Sequence, residues 1–226
     1  MIYTIPTKRG LGIELWGTRE DLSQLYYLIS NYWNNDQYRS KPDYQNRDLL
    51  MSSFSYEIRK ARDESRMTRE GNHYYPYTDQ QYLGTNLSWI HILFSLAALK
   101  YNMSFSNTSK LEIATILTLE HWLASSMKEF DEKTAEQLMP YIDGALHEAN
   151  AYIYNYMRSL NFRYFQLGGG KKAFRQLPDI LSTGVYSTDN YNTLKKELES
   201  SAKANNCQVS DLEVNDDHFD YDSIQW

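Results

Sequence analysis

The chain has 226 residues, 42% of them hydrophobic, with a single cysteine and a formal net charge of −6. This length suffices to bury one core, and one cysteine excludes an intramolecular disulfide and a cysteine-based metal centre, as is typical of a cytoplasmic protein. With three valines, 10 glycines and 5 prolines, an all-β fold is disfavoured. The longest apolar run, residues 89 to 99, is shorter than the about 20 residues that span a bilayer, so we expect no membrane association.

The spacing of apolar residues predicts a mainly α fold of one domain, residues 1 to 210. A small β-hairpin over about residues 1 to 17 begins the domain, with its turn near Gly10. A helical bundle of five to seven helices follows. The helices are predicted at residues 18 to 33, 43 to 66, 87 to 101, 109 to 130, 134 to 140, 141 to 167 and 193 to 204.

Three details of this bundle are specific predictions. Thr134 can cap a new helix, and Pro140 is expected to kink or divide it before a long helix begins. The helix at residues 87 to 101 is apolar nearly all round, which predicts a central position. Residues 70 to 85 have no clear periodicity and are predicted to form a long, tyrosine-rich loop of a kind that often binds a partner.

The acidic charge is concentrated at the C-terminus. Residues 211 to 226 hold six acidic and no basic side chains, whereas residues 1 to 210 hold 23 of each. This composition predicts a flexible, solvated acidic tail. Acidic tails can also dock on basic surfaces, and Lys171 and Lys172, beside the glycine run 168 to 170, would form the matching surface.

A basic, aromatic stretch covers about residues 152 to 175. Its three glycines can turn backbone N–H groups toward an anion, and Lys171 and Lys172 can neutralise that anion. The spacing does not match a Walker-type phosphate loop, so a simple helix stop is the favoured interpretation. The balanced charge of residues 1 to 210 argues against nucleic acid as a partner.

Glu120 lies on the predicted apolar face of its helix, together with Ile113 and Leu117. A carboxylate in that position must pair with a cation, accept hydrogen bonds or remain protonated. His91, on the nearly all-apolar helix, and His121, next to Glu120, are candidate partners. Glu120, His91 and His121 are therefore candidate catalytic residues of an acid–base or metal site, and a structural hydrogen bond is the alternative.

A polar stripe follows the predicted long helix. Its members recur at helical spacing and are candidates for binding a polar ligand: Asp143, His147, Asn150, Tyr154 and Arg158. Asp143 and His147 alone supply too few ligands for a metal ion, and the His-Glu-x-x-His and Glu-x-x-His patterns are absent. We therefore predict no bound metal and no cofactor.

The first 35 residues contain a glycine-punctuated run followed by a helix rich in leucine and tyrosine. The run is Gly10-Leu11-Gly12-Ile13-Glu14-Leu15-Trp16-Gly17-Thr18. These residues resemble the start of an uncharacterised bacterial protein family of unknown function. The resemblance implies a bacterial, cytoplasmic protein, and it brings no family activity and no catalytic residue with it.

Two hypotheses of different class follow. The first is a soluble, non-catalytic binding or interaction protein that uses the aromatic loop at about residues 72 to 85 and the Tyr-rich helix end at about residues 152 to 175. Its candidate contacts include Tyr74, Tyr75 and Tyr77, its partner would be a protein or a small polar or anionic ligand, and homo-oligomer formation is left open. The second is a metal-dependent or acid–base enzyme with a Glu/His site in the bundle.

Overall fold

The computed structural model describes residues 1–33, 43–71, 73–74, 79–214 and 219–226. In this part of the chain a four-stranded antiparallel sheet packs against α-helices, so the predicted mainly α fold with a small β part is confirmed. The strands are β1 (Tyr3–Pro6), β2 (Gly12–Gly17), β3 (Met67–Glu70) and β4 (Gln81–Ser88). The helices are α1 (Arg19–Asn31), α2 (Tyr44–Arg62), α3 (Trp89–Met103), α4 (Lys110–Asp143), α5 (Ile153–Gln166), α6 (Gly170–Phe174), α7 (Leu177–Ser182) and α8 (Asp189–Ala204).

The sheet is larger than the predicted hairpin. Its strand order is β1-β2-β4-β3, so β4 lies beside β2 and carries β3 at the edge. The helix predicted to end near residue 66 ends at Arg62, before β3. The loop predicted at residues 70 to 85 is shorter than expected, because β3 includes Glu70 and β4 begins at Gln81. Gly84 of β4 leaves room for the Trp16 ring, whose atoms would lie 2.6 Å from a Cβ at that position. Such long-range packing overrides the weak strand propensity of β4.

Helix α3 is the centre of the fold, as its apolar composition predicts. Most of its side chains are buried, including those of Trp89 and Phe94. The indole Nε1 of Trp89 donates a hydrogen bond to the carbonyl oxygen of Gly10 at 3.0 Å, and the Tyr164 hydroxyl donates to the same oxygen at 2.8 Å. These bonds tie the first hairpin to α3 and α5. No helix in the described ranges, α3 included, has the length and apolar character needed to cross a membrane.

Helix α4 bends at Asp131, where φ is −157° and ψ is 100°, and not at Pro140. The Asp131 carboxylate accepts hydrogen bonds from the hydroxyl and backbone N–H of Thr134, so Asp131 caps the second half in place of Thr134. It also accepts from Arg175 at 2.9 Å. These hydrogen bonds lower the pKa of Asp131 to about 2. The helix then continues through Pro140 to Asp143, which corrects the predicted division.

The predicted long helix over residues 141 to 167 is interrupted. Gly144, with a φ of 111°, ends α4, and α5 begins only at Ile153. Glycine adopts this backbone conformation far more readily than other residues, which is why α4 ends here. The polar stripe predicted along that helix is therefore not a continuous stripe.

The described end of the acidic tail packs on the helical bundle. The C-terminal segment, residues 219 to 226, brings Phe219 and Trp226 against Phe165 of α5, with ring centroids 6.2 and 5.8 Å apart. Arg9 adds a hydrogen bond to Gln225. In these residues aromatic side chains bury apolar surface on α5 despite the acidic composition of the segment, and the flexibility of the tail stays a prediction.

Candidate functional site

A cleft of about 800 Å³ opens where α2, the first turn of α3, α5 and the C-terminal segment meet. The second half of β4, residues 85 to 88, also lines it. β3 pairs with β4 only from Gln81 to Gly84, so within the described residues no strand flanks residues 85 to 88 on that side. Because β3 begins only at Met67, opposite Gly84, this half of β4 has no β3 partner. Segments far apart in the sequence line the cleft beside it.

An ion pair between Glu57 and Arg66 lies in the wall of the cleft. Arg66 donates from Nε and Nη2 to the two carboxylate oxygens of Glu57 at 2.8 and 3.0 Å, and the Thr85 hydroxyl donates to the same carboxylate at 3.2 Å. The hydrogen bonds to Glu57 raise the pKa of Arg66. Because the two charges compensate each other, the pair gives the cleft no net charge.

His91 and Ser53 form a hydrogen-bonded pair in the same wall. His91 Nε2 lies 2.7 Å from Ser53 Oγ. The backbone N–H of His91 donates to the hydroxyl of Ser88, the N-cap residue of α3. Burial lowers the pKa of His91 to about 4, against a smaller opposite effect of the Glu57 charge. His91 is therefore neutral at pH 7.

Two asparagine side chains complete the polar wall. Asn161 of α5 accepts a hydrogen bond at Oδ1 from the Ser88 hydroxyl, and its amide nitrogen has no partner among the described residues. Asn86 of β4 also lines the cleft, and its Oδ1 is buried without a hydrogen-bond partner in the described part of the chain. A buried oxygen of this kind costs about 1 to 3 kcal/mol.

The rest of the cleft wall is largely aromatic. Tyr154 and Phe165 of α5 line it, and the C-terminal segment adds Tyr221 and Trp226. The rings of Tyr221 and Trp226 meet the ring of Phe165 edge to face, with centroids 6.2 and 5.8 Å apart. The cleft thus offers both hydrogen-bonding groups and aromatic surface.

The structure does not bring Glu120 and His91 together. Glu120 accepts a hydrogen bond from Lys100 Nζ at 2.7 Å, so a cation pairs with its carboxylate, as one of the predicted alternatives requires. Lys100 and His91 lie near opposite ends of α3, about 13 Å apart along its axis. His121 is exposed and packs on Trp122. Within the described ranges, no three His, Cys, Asp or Glu side chains are grouped so as to hold a metal ion.

The buried face of α4 is rotated relative to the predicted one. Ile116 and Leu123 are buried, whereas Ile113 and Leu117, which were predicted to be buried, are 46% and 58% exposed. Glu120 therefore lies at the edge of the buried face, where the Lys100 side chain reaches it from α3.

The five residues of the predicted polar stripe are dispersed. Asp143 is exposed at the end of α4, and Asn150 is buried and accepts a backbone hydrogen bond. His147 packs among tyrosine rings, and burial lowers its pKa. Tyr154 lines the cleft, and the guanidinium of Arg158 lies 6.0 Å from the centroid of its ring. The interruption of the helix separates the first three of these residues from the other two.

The aromatic loop is described only in part. Tyr74 packs on Trp122 and on Tyr3, with ring centroids 5.0 and 5.8 Å apart. Tyr75 and Tyr77 lie outside the described residues. The use of this loop as a binding surface stays a prediction.

The lysine pair beside the glycine run is exposed on the short helix α6. Lys171 lines a surface depression together with Asp131, Glu132, Lys133 and Arg175, so both acidic and basic side chains surround it. Lys172 is exposed beside it. The described end of the acidic tail, predicted as an alternative occupant of this surface, packs its aromatic rings on α5.

Sequence reasoning missed four residues of the cleft: Ser53, Glu57, Asn86 and Asn161. The available signal is the four-residue spacing of Ser53 and Glu57, which puts them on one face of α2. No local pattern indicates that this face meets the first turn of α3 and the middle of α5, because those contacts join distant parts of the chain.

We predict that His91 makes the protein less stable in mild acid. Its pKa is about 4 in the folded chain and 6.5 without the fold, so the unfolded chain binds the proton first as the pH falls. The stabilising contribution is complete above pH 6.5 and is lost as the pH falls toward 4, by up to about 3 kcal/mol. Urea unfolding at pH 7 and pH 4.5 measures this loss. The variant His91→Gln should lose less stability between these two pH values than the wild type, and equal losses would contradict the assignment.

The described residues define a mainly α protein with a small antiparallel sheet and a ligand-sized cleft. The chain belongs to the family DUF6904, a domain of unknown function, which matches residues 2–226. The match covers nearly the whole chain, so membership of an uncharacterised family is confirmed. No match was found among curated proteins or among solved structures.

Proposed function

We propose that this protein binds a small, uncharged, amphipathic molecule in the cleft beside His91. The volume of about 800 Å³ falls within the range of about 300 to 1,000 Å³ that is usual for small-molecule sites. The proposal keeps the hypothesis of a binding protein and changes its site. The Tyr-rich helix end contributes Tyr154, Asn161 and Phe165, whereas of the described residues of the aromatic loop only Thr85 lines the cleft.

The charges around the cleft favour an uncharged ligand. Glu57 and Arg66 neutralise each other through two hydrogen bonds, and His91 is neutral at pH 7 because burial lowers its pKa. A charged ligand would lose its hydration shell without gaining an unpaired counter-ion among these groups. An amide, ester or hydroxyl group would face groups able to donate or accept hydrogen bonds.

The observation that carries the proposal is the unpaired Oδ1 of Asn86. Buried polar atoms in folded proteins are nearly always hydrogen-bonded, and each exception calls for an explanation. Asn86 lines the cleft, and rotation of its amide toward the cleft would let a ligand N–H or O–H supply the missing donor. The amide nitrogen of Asn161 offers a donor in the same wall, and the rings of Phe165 and Trp226 supply aromatic contact.

Saturation-transfer NMR with two matched probes tests this proposal. N-acetyl-tryptophanamide is uncharged and carries an amide and an indole, and N-acetyl-tryptophan differs by one carboxylate. We expect the amide to bind and the carboxylate to bind at least about fivefold more weakly, since one lost hydrogen bond is worth about 1 kcal/mol. Equal binding of both probes would contradict the uncharged character of the site.

Two variants localise the binding. Asn161→Leu removes the cleft donor and should weaken the binding of N-acetyl-tryptophanamide at least about fivefold. Asn192→Leu makes the same change at an exposed position of α8, away from the cleft, and should leave the affinity unchanged. If the two variants bind the amide equally well, the probe does not bind in the proposed cleft.

A further inference from the structure

The hydrogen-bonded pair of Ser53 and His91 has the geometry of a nucleophile beside a base. The distance of 2.7 Å between Ser53 Oγ and His91 Nε2 permits direct proton transfer. Both side chains are partly exposed, and both line the cleft. A ligand bound in the cleft therefore lies beside both side chains.

Two acceptors compete for the hydroxyl hydrogen of Ser53. His91 Nε2 lies at 2.7 Å, and the backbone carbonyl oxygen of Leu50 lies at 3.2 Å. The shorter contact favours the histidine as the acceptor. Because burial keeps His91 neutral at pH 7, Nε2 has a lone pair for that hydrogen when Nδ1 carries the ring proton.

Hydrogen bonds of the Ser88 hydroxyl connect this pair to a potential oxyanion donor. The Ser88 oxygen accepts from the backbone N–H of His91 and donates to Asn161 Oδ1. The hydrogen bond from Ser88 fixes the position of Asn161 Oδ1. The amide nitrogen of the same side chain remains able to donate a hydrogen bond in the cleft wall. A neutral amide donor of this kind stabilises the negative charge that develops on a carbonyl oxygen under attack.

We propose that Ser53 is a nucleophile and His91 its general base in acyl transfer from a small, uncharged ester to water. This proposal rests on the proposed function, because the same cleft must bind the ester. Ser53 Oγ forms a bond to the carbonyl carbon, and the bond from that carbon to the leaving alcohol breaks. The hydroxyl proton passes to His91 Nε2 and then to the departing alkoxide. Water then attacks the acyl-serine, His91 accepts the proton of that water, and the proton returns to Ser53 as the acid leaves.

A fluorophosphonate probe tests the nucleophile directly. In this reaction Ser53 Oγ forms a bond to phosphorus, fluoride leaves, and His91 accepts the proton. Incubation of the full chain with an alkyl fluorophosphonate, followed by intact-mass measurement and peptide mapping, should show one adduct, on Ser53. Ser53→Ala should remove the adduct, whereas Ser52→Ala removes a neighbouring hydroxyl of the same helix and should leave it unchanged. His91→Gln should slow labelling at least about tenfold, because a general base usually contributes about 100-fold or more and the lowered pKa of His91 makes it a weaker base.

The pH profile of labelling separates a general base from a structural histidine. The charged and titratable groups of the cleft in the described part of the chain are Tyr56 and Glu57 of α2, Arg66 before β3, His91 of α3, Tyr154 of α5 and Tyr221 of the C-terminal segment. His91 stays neutral from pH 6 to pH 8, so the labelling rate should change less than about twofold over this interval. An unassisted serine reacts through its alkoxide and would react about tenfold faster for each pH unit.

Three results would overturn the proposal: an adduct that forms equally fast in His91→Gln, a rate that rises tenfold per pH unit, or no adduct on Ser53. The C-terminal segment could prevent labelling by covering the serine, so Trp226→Ala is labelled in parallel with the wild type. Only the absence of an adduct in both the wild type and Trp226→Ala counts as the third result. Binding of N-acetyl-tryptophanamide is measured on the same samples. If the amide binds while Ser53 is unreactive, the cleft binds ligands and the catalytic proposal alone fails.

Discussion

Replacing Arg47 by alanine is expected to lower the free energy of unfolding by about 3 to 5 kcal/mol, from the cavity left by the side chain and from the buried acceptors left unpaired. The Arg47 side chain on α2 is 0% exposed, and burial lowers its pKa. Its Nε donates to Asn102 Oδ1 at 3.1 Å, and its Nη1 donates to the carbonyl oxygen of Glu148 at 3.3 Å. Its guanidinium lies 4.5 Å from the centroid of the Tyr101 ring. Alanine leaves these acceptors unpaired and opens a cavity at the junction of α2 and α3.

The matched variant Arg47→Met separates volume from charge. Methionine fills much of the same space and carries no charge to desolvate, so its expected loss is smaller, about 1 to 2 kcal/mol from the unpaired oxygen of Asn102. Urea unfolding of the wild type and both variants at pH 7 measures the two losses. A loss below about 1 kcal/mol for the alanine variant would mean that Arg47 does not hold these elements together.

Alanine at Gly12 is expected to reduce the stability by about 4 kcal/mol or more, as severe overpacking does. A Cβ at this position would lie 1.9 Å from the carbonyl oxygen of Leu87 and 2.6 Å from the Cα of Ser88. Both are backbone atoms of β4, which is held in register by the pairing of Gly12 with Ser88. The strand must move to admit the methyl group, and the half of β4 that lines the cleft moves with it.

Gly170→Ala is the control for this substitution. A Cβ at Gly170 meets nothing within 4 Å, although its φ of 82° is unfavourable for alanine. The expected loss is therefore about 1 to 2 kcal/mol from backbone strain alone. Thermal and urea unfolding of both variants compare the two effects. If Gly12→Ala is no less stable than Gly170→Ala, β2 and β4 do not approach each other as closely as the structure shows.

Capping residues and the spacing of apolar residues predicted where several helices begin and which helix is central. The helices after Thr18 and Ser109 begin with N-cap hydrogen bonds and complete capping boxes. The apolar composition of α3 predicted its central position, because a helix without a polar face has to be buried. In these elements the residues that determine the structure lie within a few positions of each other.

The rest of the fold depends on contacts between distant residues. β3 and β4 include residues with weak strand propensity, and their pairing is stabilised by β2 and by the Trp16 ring over Gly84. Arg66 pairs with Glu57 at a separation that matches no helical repeat, so charge spacing does not reveal the pair. The cleft combines groups from five separate helices and strands and from the C-terminal segment, and for that reason its residues were largely missed.

The sequence indicated single residues of the candidate site but not which residues pair with them. Glu120 was expected to need a partner, and Lys100 provides the cation that this argument requires. The choice of a histidine as that partner was wrong, because the α4 face that carries Glu120 meets the far end of α3 from His91. His91 itself was a candidate, and it lines the cleft, but with Ser53 as its partner.

The hydrogen bonds to the Gly10 carbonyl have a consequence for synthesis on the ribosome. Their donors are Trp89 and Tyr164, which are translated long after the hairpin. At about 5 to 20 residues per second, the delay until Tyr164 is made is on the order of ten seconds. A two-stranded hairpin is only marginally stable in water. Until Trp89 and Tyr164 have been made, the apolar side chains of Ile13 and Leu15 on β2 therefore stay uncovered. This hairpin is therefore an apolar strand pair that a ribosome-bound chaperone would meet before its partners Trp89 and Tyr164 have been made.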